Sequence, residues 1–175
     1  MPVAVGDLSI DLSDPKCREA HHSHVFERGV IDIEKRTVAL SFSSENPVRR
    51  EDSRGNEYWE VLDHSAVDMS RMGEGAPVLW GHNKREHLGA VVTAEIAADK
   101  KGRAIVRFSR SAFASEKFED VREGILRYTS VGGDLTNAEP IEDGTREGIP
   151  VIRFRNWCPF EITLTPLPAD TRVGI

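Results

Sequence analysis

Three side chains of this sequence combine types that could break an amide bond. His82 follows Gly81 at the end of the apolar run Pro77-Val78-Leu79-Trp80. A histidine where a rigid extended element meets a cleft suits general-base work, because imidazole is the side chain that changes charge near neutral pH. Its plain alternative is a strand-end histidine bonded to a loop. Ser130 precedes Val131-Gly132-Gly133, so little bulk stands beside its hydroxyl, and the glycine N–H groups could face an oxyanion. A serine hydroxyl is a weak nucleophile without an adjacent base. This segment is not the Gly-x-Ser-x-Gly elbow of the α/β-hydrolases, and its plain alternative is a strand ending in a glycine turn. Glu161 interrupts the apolar stretch Pro159–Leu164. A carboxylate there either faces outward, as alternation permits, or is buried and needs a partner such as an imidazole to orient.

Two other chemistries compete. His21, His22 and His24 form a dense imidazole cluster, but no cysteine or second histidine pair completes a closed metal site, so a solvated segment is the simpler reading. Cys158, in Trp157-Cys158-Pro159-Phe160, could act as a nucleophile beside a histidine, yet it reads more simply as a small buried hydrophobe at a strand entry. Cys17 and Cys158 lie far apart in sequence and suggest no disulfide framework.

The elements that must position these residues read as mainly β. Residues 1–24 are polar and mixed, an arm expected to be flexible or to dock on a partner. Alternating apolar positions in Val25–Ile33 and Thr37–Phe42 predict a hairpin around Glu34-Lys35-Arg36. Asn46 to Asn56 reads as a charged loop, while Tyr58–Leu62 and Pro77–His82 read as strands. Leu88–Ile96 and Ala104–Phe108 should pair across Asp99-Lys100-Lys101-Gly102. Ser111–Leu126 predicts the one convincing helix: Phe118, Val121 and Ile125 fall on one face, Ser111 or Ser115 can cap it, and Gly124 lies near its end. Tyr128–Leu135 reads as extended, 136–148 as a polar loop, and Val151–Phe154 and Phe160–Thr165 as closing strands. Many short strands with one helix predict an α+β chain built as a closed or nearly closed β-barrel flanked by helices.

Composition narrows the function. With 175 residues, 39% hydrophobic and 30% charged, the chain is long enough for one domain with a real core. A net charge of −6 argues against a general nucleic-acid binder, which needs a basic face to displace counterions. No apolar run approaches the roughly 20 residues that span a bilayer, and Asp7, Asp11 and Asp14 interrupt any secretory leader.

Together these motifs resemble the prohead, or capsid-maturation, protease family of tailed bacteriophages. Val78-Leu79-Trp80-Gly81-His82 is similar to its apolar run ending in histidine, with Leu88-Gly89 opening the next strand. After the helix, Gly124-Ile125-Leu126 runs into Ser130-Val131-Gly132, similar to the family's Ser-x-Gly motif. Glu161-Ile162-Thr163 and Pro168-Ala169-Asp170 resemble its closing strand and Pro-Ala element. The likeness covers Val25 to Ile175, so 25–175 reads as one protease domain. The continuation Gly132-Gly133-Asp134 departs from the Gly-aromatic of relatives.

The resemblance implies a fold similar to herpesvirus assemblin, with Ser130 as nucleophile and His82 as base. Glu161 lies in a segment characteristic of the family and is the candidate third member, with Asp134, His64 and His87 as rivals. Val131, Gly132 and Gly133, or Arg127, would stabilise the oxyanion. The activity implied is a cofactor-independent serine endopeptidase that cuts phage scaffold and major capsid protein, and itself, inside the procapsid in the host cytoplasm. A tail or capsid-protein region after the domain, a possible homo-oligomer and a latent zymogen are further expectations. The alternative is an inactive scaffolding module on the same fold.

Overall fold

The computed structural model describes residues 31–167 in full and, before them, the backbone of three strands. Of these three, β1 (Pro2–Val5) and β2 (Leu8–Asp11) pair with each other, and β3 (Glu19–Val25) joins a strand far along the chain. Next come β4 (Ile31–Asp32), β5 (Thr37–Ser44), β6 (Val48–Glu51) and β7 (Glu57–Leu62). They are followed by β8 (Pro77–Trp80), β9 (Asn83–Ile96) and β10 (Lys101–Phe108). Helix α1 (Ala112–Arg122) then leads to β11 (Tyr128–Asp134), β12 (Glu139–Arg146), β13 (Ile149–Arg155) and β14 (Cys158–Leu164).

Among the described residues, two sheets accompany the small β1–β2 ladder. The larger has eight strands in the order β3-β11-β14-β8-β9-β10-β5-β4, and the smaller has four, β12-β13-β7-β6. Pairing is antiparallel except for β14 with β8 and β13 with β7. The chain is mainly β, as expected, but no ladder among the described residues closes either sheet into a barrel. The large sheet does curl: β3 and β11 lie against β5, and Thr129 Oγ1 donates to the Ser41 carbonyl at 2.6 Å.

The core lies between the sheets. Alternation along β7 sends Tyr58 and Leu62 into it and Trp59 and Val61 to the opposite face, where they meet Val151 in a smaller apolar cluster. Phe42, Leu88, Ile162 and Leu164 of the large sheet and Phe118 of α1 complete the main core. Ser111 caps α1, its hydroxyl accepting from Ala114 N at 3.2 Å. The helix ends before the expected Leu126 because Gly124 takes φ +74° and turns the chain.

Two segments read as loops are strands. β6 and β12 occupy the two edges of the small sheet, and neither carries an alternating apolar face. β6 is held by ion pairs, Arg49–Glu57 at 2.5 Å and Arg50–Glu60 at 3.0 Å, rather than by a buried stripe. In the expected first hairpin, β4 pairs with β5 through Ile31↔Val38 and Asp32↔Thr37, while residues 26–30 lie outside the described residues. No helix of the described residues is long and apolar enough to cross a membrane.

Candidate active site

Three neighbouring strands, β11, β14 and β8, carry the candidate residues. Ser130 on β11 stands opposite Thr163 on β14, and Gly132 stands opposite Glu161. Val131 and Ile162 point into the core, so Ser130, Glu161 and Thr163 take the other face. β8 runs parallel to β14 with Leu79 beside Thr163, which delivers the end of β8 to the same place.

His82 gets there through a strained turn. Gly81 and His82 form the two-residue connection from β8 to β9, with φ +55° and +60°. Both central residues of such a tight hairpin turn lie in the left-handed region, which glycine enters freely and a histidine only at a cost. Two hydrogen bonds to β14 hold the turn: Gly81 N–H donates to the Leu164 carbonyl at 3.0 Å and His82 N–H to Thr163 Oγ1 at 2.9 Å.

The ring then bridges the other two residues. His82 Nε2 lies 3.1 Å from Ser130 Oγ, and Nδ1 lies 2.6 Å from Glu161 Oε1. With the carboxylate accepting from Nδ1–H, Nε2 is left with a lone pair facing the serine hydroxyl, the arrangement general-base activation requires. Ser130 and Glu161 are each only 2% exposed, whereas the His82 side chain is 27% exposed. Glu161 Oε2 is buried with no hydrogen-bond partner among the described residues.

The other candidates are elsewhere. His64 is buried against Trp157 and pairs with Ser43, its Nε2 2.8 Å from Ser43 Oγ. Asp134 accepts from Thr136 N–H at 2.8 Å and lies 3.6 Å from Arg71, and His87 is exposed on β9 opposite Leu79. Cys158 Sγ lies 4.0 Å from Ser70 Oγ and 3.9 Å from the Pro159 carbonyl, and burial pushes its thiol pKa up, which disfavours a thiolate nucleophile. The side chains of His21, His22 and His24 lie outside the described residues. Val131, Gly132 and Gly133 follow Ser130 along β11, which is flanked by β14 on one side and β3 on the other. Arg127 is exposed, and its Nε donates to the Gly124 carbonyl. Sequence reasoning gave Thr163 no role of its own. Its signal was a hydroxyl in an apolar strand two residues after the acid.

With this geometry in view, residues 46–174 match the family described as caudovirus prohead serine protease. The chain belongs to that family. The matched region contains His82, Ser130 and Glu161. The chain is also 38% identical over 144 residues, 78% of its length, to a protein named major capsid protein from Halomonas phage phiHAP-1. It spans 22% of that relative's length. No solved structure matches the chain.

Proposed function

We propose that this chain is a serine endopeptidase of phage head maturation, acting through Ser130, His82 and Glu161. The observation that carries this reading is the continuous hydrogen-bonded path from Ser130 Oγ through both ring nitrogens of His82 to the Glu161 carboxylate. Ser130 Oγ attacks the peptide carbonyl carbon while His82 Nε2 takes the hydroxyl proton, and Glu161 holds Nδ1–H and offsets the imidazolium charge. The imidazolium then gives its proton to the leaving amine, and an acyl-serine forms as the amide bond breaks. Water hydrolyses the ester with His82 again relaying the proton. The main chain of Val131–Gly133, once released from its ladder with β3, and the guanidinium of Arg127, once it leaves Gly124, are the oxyanion donors of this reading.

The substrates are phage scaffold and major capsid protein, and the chain itself, cut within the procapsid in the host cytoplasm. The major-capsid-protein name of the relative supports this, since the matching segment is part of a much longer capsid chain. The burial of Ser130 supports a latent form that opens when assembly begins. The curl that brings β11 against β5 supports a nearly closed barrel similar to herpesvirus assemblin.

The test is co-expression with the cognate capsid precursor, comparing wild type with Ser130→Ala and His82→Ala. Defined products from wild type and none from either folded variant are expected. Undiminished cleavage by Ser130→Ala would remove the nucleophile assignment.

A further inference from the structure

Gly132 sits in the middle of β11, where a glycine packs no side chain and weakens the strand. It is not among the residues with positive φ, so its backbone does not require glycine. Space does. A Cβ built on Gly132 would stand 2.8 Å from Glu161 Cγ and 2.9 Å from Cδ, and closer still to Oε1. Cβ atoms do not come that near other heavy atoms in folded chains. Oε1 is also the oxygen that holds His82 Nδ1. The three nearest atoms all belong to the Glu161 side chain, so a methyl group would press on the acid before it met the strand.

Other glycines differ. A Cβ on Gly89 would strike the Arg107 main chain, and one on Gly102 would strike the Phe42 ring and Ser43. Those positions serve the fold. Gly133 faces the Trp157 ring at 3.0 Å, against the core.

We propose that Gly132 is a positioning residue: the space above its Cα is the seat of the Glu161 carboxylate, and fixes where Nδ1 of His82 is held. This rests on reading Ser130, His82 and Glu161 as the catalytic set. It assigns the missing side chain of Gly132 to the acid, separately from any oxyanion contact by its N–H.

The experiment is a double-mutant cycle of Gly132→Ala and Glu161→Asp, following thermal unfolding and the initial rate of cleavage of purified capsid precursor at varied concentration. Gly132→Ala is expected to fold and to lower kcat by at least about 100-fold, with KM within about threefold of wild type. Glu161→Asp alone also loses activity, because the shortened acid retreats from Nδ1. In the double variant the shorter acid makes room for the methyl, so kcat rises at least about tenfold above Gly132→Ala and the unfolding temperature recovers.

Wild-type kcat in Gly132→Ala overturns the proposal, and Ser130→Ala, still inactive on the same substrate, keeps the nucleophile reading intact. Loss in Gly132→Ala with no coupling to Glu161 in either readout also overturns it. If Gly132→Ala fails to fold, folding restored by adding Glu161→Ala supports the seat, and continued unfolding refutes it. If even wild type does not cleave, the coupling in unfolding temperature decides. Activity of Ser130→Ala equal to wild type overturns the catalytic reading and this proposal with it.

Discussion

Two serine–histidine pairs are hydrogen-bonded among the described residues, and the one at Ser130 has the parts that the proposed centre needs. Ser43 and His64 approach more closely than Ser130 and His82, 2.8 Å against 3.1 Å. The difference lies behind the ring. His64 Nδ1 bonds the Leu62 carbonyl at 2.8 Å, a neutral dipole, whereas His82 Nδ1 meets the Glu161 carboxylate. Asp63, beside His64 in sequence, turns its carboxylate to Ser65 instead, accepting from both N–H and Oγ. Exposure separates the two histidines: His64 is 5% exposed and packed against Trp157, while the His82 ring reaches the surface, and both serines are buried. A short serine–histidine bond is therefore a packing solution unless a charged acceptor and a path for substrate accompany it.

Swapping serine for alanine in each pair breaks this comparison most directly. Ser130→Ala should lower kcat by about 10⁴-fold or more with the unfolding temperature little changed. Ser43→Ala should leave cleavage within about threefold of wild type and destabilise the fold by about 1–3 kcal/mol, because the buried hydrogen bond between Ser43 Oγ and His64 Nε2 is lost. Cleavage assays with parallel denaturant titrations check both, and an inactive but stable Ser43→Ala would reverse the assignment. The next effect tests the charge behind the ring. Glu161→Gln keeps the shape of the acid and should lower kcat by about 10³–10⁴-fold in single-turnover measurements, since the imidazolium loses its counter-charge and the tautomer is no longer fixed.

A smaller effect concerns the turn that delivers His82. Thr163→Val removes the acceptor for the His82 N–H and should lower kcat about tenfold, while Thr163→Ser restores it. Rescue by serine, read in the same assay, distinguishes a lost hydrogen bond from altered packing. The smallest effect sharpens the other side of the comparison. Asp63 is penalised by burial, but the Ser65 hydrogen bonds and nearby Arg153 and Arg155 outweigh this and hold its pKa below the usual carboxylate range. Its contribution to stability is therefore complete above the unfolded-state value of about 3.9 and is lost as pH falls through the lower folded value. Urea titrations between pH 5 and pH 2.5 should show a shallower acid decline in Asp63→Asn than in wild type, with cleavage at neutral pH unaffected.

Much of the candidate site was legible because it rests on residue types that are costly where they stand. Glu161 breaks an apolar strand, His82 follows a glycine at a strand end, and Ser130 precedes two glycines; the family order of these segments linked them. The β9–β10 hairpin and α1 were legible because their apolar periodicities are local. What escaped was non-local or unpatterned. The parallel pairings of β14 with β8 and β13 with β7 leave no local period, yet the first sets His82 beside Glu161. β6 and β12 have no buried face to alternate. The Ser43–His64 contact joins two ordinary segments, and neither residue type nor spacing separates it from the pair at Ser130.

The placement of Glu161 and Thr163 on β14 has a consequence in time. Ser130 and His82 are made earlier, but the acid and the hydroxyl that steadies the base arrive with a later strand, and they join His82 only through parallel pairing across 79 and 81 intervening steps of sequence. Such distant contacts form late in folding, after the cost of closing long loops has been met. A nascent chain still lacking β14 thus carries a serine and a histidine with nothing to align them. On the proposed reading, synthesis itself acts as a delay, because the path from Ser130 to Glu161 is complete only once β14 has joined the sheet.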